Sequence, residues 1–175
     1  MSLQEEKDHV SGRALCDCMC HGLTCHGSRP VAEGREDVHK IEVRVRFGET
    51  DPYGVVYFAS YLEYAKAALD EYLRSLGLSP AEFYRSPNGG WPIGEVAVRY
   101  ESPGRYDDLL SVMLWVAELG RSTVRFGFRI ERVGEEVRLA SGTLTCVAIG
   151  PDWRPRPTPP DLAALFERER ANAAG

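Results

Sequence analysis

With 175 residues, 43% of them hydrophobic and 27% charged, the chain is long enough for one domain with a full core and too short for two. Its net charge of -5 disfavours a nucleic-acid-binding surface, which would need basic residues to neutralise phosphates. No apolar run is long enough to cross a bilayer and the N-terminus lacks the apolar stretch of a signal peptide, so we expect a soluble cytoplasmic protein with no membrane partner.

Residues 1 to about 37 show neither helical nor strand periodicity, and they predict a disordered tail. Four of the five cysteines fall here with two histidines interleaved, at Cys16, Cys18, Cys20, His21, Cys25 and His26. Thiolates and imidazoles bind zinc and copper, so a metal site is one interpretation. The spacing matches no zinc-finger pattern, and we therefore expect a tail without a metal. Cys146, the fifth cysteine, is predicted to be a small core residue.

A strand and a long helix come next. Apolar residues alternate with charged ones over 38–47, at Ile41, Val43, Val45 and Phe47, which predicts a strand with one buried face. Pro52 and Gly54 end it. From about 58 to 76 apolar residues recur every three or four positions, which predicts a helix that ends at Gly77. A short helical turn is predicted at 80–84 and a loop at 86–90.

Four strand patterns follow in succession, over 95–101, 109–118, 124–130 and 137–149, with a hairpin turn at 133–136. A proline-rich run over 151–160 ends the sheet, and 162–170 predicts a short helix. Sequential strands with short links favour an antiparallel sheet, and the long helix must bury its apolar face against it. The sequence thus predicts an α+β fold, with a tail at 1–37, one domain at 38–150 and a C-terminal segment at 151–175.

The chemistry available to this domain depends on carboxylates. The chain has no G-x-S-x-G elbow, no G-x-G-x-x-G and no phosphate loop, and every histidine lies at or before His39. Asp51 lies just upstream of the long helix, whose first N–H groups are unpaired and could hold a developing oxyanion. Asp51 could instead cap the turn or the helix. Glu49 is a second candidate for acid–base chemistry.

Two segments resemble the hotdog-fold acyl-CoA thioesterases, specifically the 4-hydroxybenzoyl-CoA thioesterase family. The first runs from Phe47-Gly-Glu-Thr-Asp51-Pro-Tyr-Gly54-Val-Val-Tyr57 into Tyr61-Leu62. The second is Pro92-Ile93, a strand, and then Tyr106-Asp107-Asp108-Leu109. The resemblance covers about 38 to 147. It implies a five-stranded antiparallel sheet wrapped around a long central helix, and a homodimer joined edge to edge that pairs again into a homotetramer, with active sites at the dimer interface.

The resemblance also implies the site residues. Asp51 would be the nucleophile or the base that activates water, and the backbone N–H of Phe58 would hold the oxyanion. Arg121, in the turn 120–122, would meet the CoA phosphates. No metal or cofactor is implied beyond the CoA of the substrate. The residues that would contact the substrate are Gly54, Val55, Tyr57, Tyr61 and Ile93.

The sequence departs from the family pattern at two positions, which limits the role of Phe58 and the choice of substrate. Phe58 stands where relatives often carry a polar ring, so only its backbone can contribute. Lys66 falls about where members acting on hydroxybenzoyl groups carry an acidic residue, so we hypothesise that the substrate is not 4-hydroxybenzoyl-CoA.

The predicted function is hydrolysis of an acyl-CoA or aryl-CoA thioester, and two other classes stay open. A hydratase or dehydratase would typically use a histidine, which the chain lacks after His39. A non-catalytic acyl-CoA-binding module on the same fold is the main alternative.

Overall fold

The computed structural model describes residues 38–135 and 137–174. The tail predicted for 1–37, with its cysteines and histidines, lies outside the described residues, so its metal-free state stays a prediction. The predicted order of a strand, a long helix and four strands is confirmed. The elements are β1 His39–Arg44, α1 Ser60–Ser75, α2 Pro80–Tyr84, β2 Ile93–Tyr100, β3 Leu109–Leu119, β4 Thr123–Arg132, β5 Arg138–Val147 and α3 Pro160–Ala174.

The five strands form one antiparallel sheet in the order β1-β3-β4-β5-β2. Strands β3, β4 and β5 form its centre, as expected for consecutive hairpins. The tight link from β4 to β5 turns at Gly134, whose φ of 82° is a conformation that glycine adopts without steric cost. Strands β1 and β2 are the two edges.

Helix α1 packs on one face of this sheet, which confirms the predicted α+β layer pair. Its buried face consists of Tyr61, Tyr64, Ala65, Ala68, Leu69, Tyr72 and Leu73. Opposite it lie the inward residues of β3 and β4, all at most 1% exposed: Leu110, Val112, Leu114, Val116, Val124, Phe126, Phe128 and Ile130. The helix stops at Gly77 as predicted, where the N–H of Leu78 turns back to the carbonyl of Leu73 at 2.9 Å.

The C-terminal helix contributes to the same core. It runs over Pro160–Ala174, longer than the predicted 162–170. Phe166 is fully buried, and its ring centroid lies 6.2 Å from Phe83, 6.3 Å from Trp91 and 5.9 Å from Phe126. Helix α3 is therefore packed against the sheet domain through Phe166, whereas the proline-rich run before it is mostly exposed.

Two boundaries near Asp51 differ from the sequence prediction. Strand β1 ends at Arg44, and Phe47 begins a 3₁₀ turn with 80% of its surface exposed, although alternation placed it in the buried face. The chain turns early because the Glu49 carboxylate accepts the backbone N–H of Arg46 at 2.7 Å. Helix α1 begins at Ser60, so Phe58 lies in the turn before the helix. No helix of the described part of the chain is long and apolar enough to span a membrane.

Candidate active site

Asp51 begins a tight turn that holds its own side chain. The N–H of Gly54 donates to the carbonyl of Asp51 at 2.9 Å, with Pro52 between them. Asp, Pro and Gly at the first, second and fourth positions are typical of a β-turn. The Asp51 Oδ1 atom accepts the N–H of Tyr53 at 2.9 Å and of Val55 at 3.3 Å. Through this oxygen Asp51 caps its own turn, as one of the two sequence-based alternatives predicts. No hydrogen bond from the described residues reaches Oδ2.

The Asp51 turn is docked onto the chain before β3. The N–H of Val56 donates to the carbonyl of Gly104 at 2.8 Å, and the N–H of Gly104 donates to the buried hydroxyl of Tyr61 at 2.9 Å. A Cβ at position 104 would lie 2.9 Å from a methyl group of Val56 and 3.2 Å from the Tyr61 hydroxyl. Only glycine fits this contact, which fixes the turn relative to α1.

Glu49, the second candidate carboxylate, is engaged in structural contacts. Its Oε2 atom accepts the hydroxyl of Tyr64 at 2.7 Å and the N–H of Arg46 at 2.7 Å. Burial, and next the hydrogen bond to Glu49, raise the pKa of Tyr64, so this hydroxyl keeps its proton and remains a donor. The Glu49 carbonyl also accepts the N–H of Tyr57 at 2.8 Å. Glu49 therefore ties the loop to α1.

The start of α1 presents free backbone donors. The N–H of Ser60 donates to the carbonyl of Tyr57 at 2.9 Å, and the N–H groups of Leu62 and Glu63 donate to the carbonyl of Ala59. The N–H groups of Phe58 and Ala59 meet no acceptor among the described residues. Unpaired N–H groups at a helix start carry positive potential and suit an anion.

Exposed aromatic rings surround this turn. The exposed fractions are 80% for Phe47, 89% for Tyr53, 45% for Tyr57, 58% for Phe58 and 59% for Tyr106. The rings of Tyr57 and Phe58 lie 4.5 Å apart, and those of Phe47 and Tyr106 lie 6.0 Å apart. A cluster of large exposed apolar side chains marks a binding surface.

One protomer brings together only part of the predicted site. Gly54, Val55 and Tyr57 share the loop of Asp51, whereas Tyr61 is 3% exposed, with its hydroxyl bonded to Gly104.

Ile93 and Arg121 lie elsewhere in the protomer. Ile93 is the first residue of β2 and Tyr100 is the last, so Ile93 lies at the other end of that strand. The exposed Arg121 follows the Leu119 end of β3, whereas the Asp51 loop docks at Gly104, before the Leu109 end, and the strand between these ends is about 33 Å long.

Lys66 makes a local ion pair on α1. Its Nζ lies 2.7 Å and 2.8 Å from the two carboxylate oxygens of Asp70, and 4.2 Å from the centroid of the Tyr84 ring. Nearby on β5, Cys146 is buried, which raises the pKa of its thiol to about 12 and keeps it unreactive, as expected for a core cysteine.

Sequence analysis missed three side chains that hold the site. Tyr64 holds Glu49, the Ser60 hydroxyl donates to the Glu49 carbonyl at 3.2 Å, and the Tyr100 hydroxyl donates to the Phe58 carbonyl at 2.9 Å. The helix and strand patterns assigned no role to these three hydroxyl groups. These contacts join residues up to 42 positions apart, which periodicity does not reveal.

Comparison with known proteins gives a consistent result. The thioesterase-like superfamily matches residues 45–166. The chain is 32% identical over 124 residues to acyl-CoA thioesterase YbgC of Haemophilus influenzae, a match covering 71% of this chain and 90% of the relative. It is 30% identical over 126 residues to a 1,4-dihydroxy-2-naphthoyl-CoA hydrolase of Acaryochloris marina, covering 71% of this chain and 92% of that one.

Solved structures show the same architecture. A 1,4-dihydroxy-2-naphthoyl-CoA thioesterase from Synechocystis matches with a TM-score of 0.69 at 21% identity, over 79% of this chain and 98% of the other. A hypothetical protein of Thermus thermophilus matches with a TM-score of 0.67 at 27% identity, over 75% of this chain and 98% of the other. The predicted hotdog arrangement of the sheet and helix is confirmed.

Proposed function

This chain belongs to the thioesterase-like superfamily, and we propose that Asp51 and the N-terminus of α1 carry out its chemistry. The protein is an acyl-CoA thioesterase that hydrolyses an acyl-CoA or aryl-CoA thioester to the free acid and CoA. The observation that supports the catalytic assignment is the contrast between two carboxylates. One oxygen of Glu49 accepts the Tyr64 hydroxyl of α1 and the Arg46 N–H, whereas Asp51 accepts only the N–H groups of Tyr53 and Val55 in its own loop and is bonded to no other element of the described residues.

The mechanism follows from this arrangement. The thioester carbonyl oxygen is held by the Phe58 N–H, and Asp51 attacks the carbonyl carbon or removes a proton from an attacking water. The electron pair of the broken C–S bond leaves with CoA as the thiolate. In the nucleophilic route, water then attacks the Asp51 carbonyl carbon of the mixed anhydride, which releases the free acid and leaves one water oxygen in the restored Asp51 carboxylate. A single turnover in ¹⁸O-labelled water separates the routes, because only nucleophilic attack leaves label in the Asp51 carboxylate.

The exposed edge of the sheet supports a dimer. Among the described residues, strand β2 has a neighbour on one side only, and its Val96 and Tyr100 are 42% and 47% exposed. An unpaired apolar edge favours pairing with another chain. If two copies pair along β2 around a two-fold axis normal to the sheet, the strands of the second copy run in the opposite direction. The end of the partner's β3 that carries the partner's Arg121 then lies on the same side of the joined sheet as Asp51 of the first copy. We propose such a homodimer, pairing again into a tetramer, with CoA phosphates bound by the partner's Arg121.

The acyl group is restricted by Lys66. Position 66 holds an ammonium, paired with Asp70, in place of a carboxylate that could accept the proton of a phenol. Preferential turnover of 4-hydroxybenzoyl-CoA would overturn this part of the proposal.

The experiment follows CoA release with a thiol reagent from short, medium, long and aromatic acyl-CoAs, using the wild type and Asp51→Asn. A control without substrate corrects for the protein's own thiols. Release by the wild type and its loss in the folded variant is the expected result. Equal release by both would reject Asp51, and no release from any ester would favour a module that binds acyl-CoA without hydrolysing it.

A further inference from the structure

We infer that the Tyr100 hydroxyl is a positioning group for the backbone donors that hold the oxyanion, an inference that rests on the catalytic role proposed for the start of α1. Tyr100 is the last residue of β2, the edge strand. Its hydroxyl donates a hydrogen bond to the carbonyl oxygen of Phe58 at 2.9 Å. It thereby joins the sheet edge to the turn that precedes α1.

The carbonyl that Tyr100 binds is not used by the helix. The first helical bonds of α1 end on the carbonyl of Ala59, from the N–H groups of Leu62 at 3.0 Å and Glu63 at 3.4 Å. Tyr100 therefore supplies the donor for the Phe58 carbonyl.

A peptide group is planar, so fixing its oxygen also fixes its N–H. The Phe58 carbonyl belongs to the same peptide as the N–H of Ala59. One residue earlier, the carbonyl of Tyr57 accepts the N–H of Ser60 at 2.9 Å and belongs to the same peptide as the N–H of Phe58. Two successive peptides are thus anchored through oxygen, while their N–H groups meet no acceptor among the described residues.

The bond from Tyr100 has an electronic effect as well as a geometric one. A donor at a carbonyl oxygen polarises the peptide and strengthens its N–H as a donor. Donors that are oriented in advance stabilise a developing oxyanion most, because they need no reorganisation during the reaction. The Ala59 N–H accordingly acts as a second oxyanion donor beside that of Phe58.

The Tyr100 ring is itself held in place. It lies 5.5 Å from the ring of Tyr61, a buried residue whose hydroxyl oxygen accepts the N–H of Gly104 at 2.9 Å. Removing only the hydroxyl of Tyr100 therefore leaves the ring contact with Tyr61 intact and isolates the bond to Phe58.

The test compares Tyr100→Phe with Tyr72→Phe, which loses a hydroxyl that donates to the Glu169 carboxylate at 3.3 Å, near the other end of α1. Both are assayed with the acyl-CoA that the wild type hydrolyses fastest. Loss of one hydrogen bond predicts about a tenfold lower kcat in Tyr100→Phe, with KM unchanged, and wild-type values in Tyr72→Phe. The dissociation constant of the matching non-hydrolysable thioether of CoA, measured by calorimetry, should not change.

Replacing Tyr100 with 4-aminophenylalanine restores an N–H donor at the same place and should recover most of the kcat, which a purely structural role of the ring would not predict. A wild-type kcat in Tyr100→Phe, or an equal loss in Tyr72→Phe, would overturn the inference. Asp51→Asn, assayed in parallel, reports on the proposed function alone, since its loss of turnover does not depend on Tyr100. If Tyr100→Phe does not fold, the 4-aminophenylalanine variant decides: a kcat far below the wild type in the folded protein would reject the inference.

Discussion

The hydroxyl of Tyr64 on α1 donates a 2.7 Å hydrogen bond to the carboxylate of Glu49, two residues before Asp51. This contact distinguishes two neighbouring acids. One oxygen of Glu49 is held by α1 and by the backbone of Arg46, while one oxygen of Asp51 is held only by the backbone of its own loop. Since the Asp51 side chain is bonded to no other helix or strand of the described residues, we expect it to be the carboxylate that acts.

The bond between Tyr64 and Glu49 predicts a stability effect. Tyr64→Phe leaves a half-buried carboxylate without its side-chain donor and should lower the free energy of unfolding by about 1–3 kcal/mol. Urea denaturation measures this change. Turnover should fall far less than in Asp51→Asn, and a variant as inactive as Asp51→Asn with unchanged stability would contradict the structural role of this bond.

Arg121 is predicted to act on binding alone. Loss of a charged contact to phosphate in Arg121→Ala should raise the KM for acyl-CoA by about tenfold and leave kcat unchanged, because the contact is equal in the ground and transition states. Steady-state kinetics provide the measurement. Arg154→Ala, which removes an arginine side chain that is 83% exposed, is the matched control.

The predicted effect of Arg121 on KM depends on the proposed dimer. Since it lies at the far end of β3 from the Asp51 loop, the KM effect requires a dimer. Sedimentation of the wild type should show at least a dimer at assay concentration. An unchanged KM in Arg121→Ala would remove Arg121 from the site.

Phe166 is predicted to be a main stabilising residue of α3. Phe166→Ala removes a fully buried ring that contacts Phe83, Trp91 and Phe126, and should lower the free energy of unfolding by about 3–5 kcal/mol. Denaturant unfolding tests this, with Trp153→Ala as the control because that ring is 76% exposed. Equal small effects in both variants would show that α3 does not belong to the core.

His39 is predicted to make stability depend on pH. Burial lowers its pKa below the ordinary value of about 6.5, and nearby Glu71 only partly opposes this. The unfolded chain therefore binds a proton more readily than the folded one, and stability falls as the pH drops from about 6.5 through the lowered pKa. Wild type should lose more stability than His39→Gln between pH 7.5 and pH 5.5 in urea titrations, and parallel losses would reject the assignment.

The sequence predicted the elements well because each has a strong local pattern. The alternation of Val124, Phe126, Phe128 and Ile130 predicted β4, and the three- and four-residue spacing of Ala65, Leu69 and Leu73 predicted α1. Both patterns reflect burial against a single core. The prediction that Phe47 lies in the buried face of β1 was wrong. The hydrogen bond from the Arg46 N–H to the Glu49 carboxylate turns the chain before the alternating pattern ends.

The candidate site was harder to predict because its supports come from distant positions. Asp51 could be proposed from its place before a helix. The roles of Tyr64 and Tyr100 depend on which face of a helix and which end of a strand meet the loop, and Tyr61 proved to be almost fully buried. Alternation and helical spacing identify an apolar face, but they do not show which group a tyrosine hydroxyl on that face binds.

The most direct test of Asp51 as the catalytic carboxylate is kcat for Asp51→Asn and Glu49→Gln beside the wild type, with the acyl-CoA that the wild type hydrolyses fastest. Circular dichroism first establishes that both variants are folded. We expect a loss of about 10²- to 10⁴-fold in Asp51→Asn and a much smaller loss in Glu49→Gln. Near-wild-type turnover in Asp51→Asn, with turnover abolished in folded Glu49→Gln, would contradict this assignment.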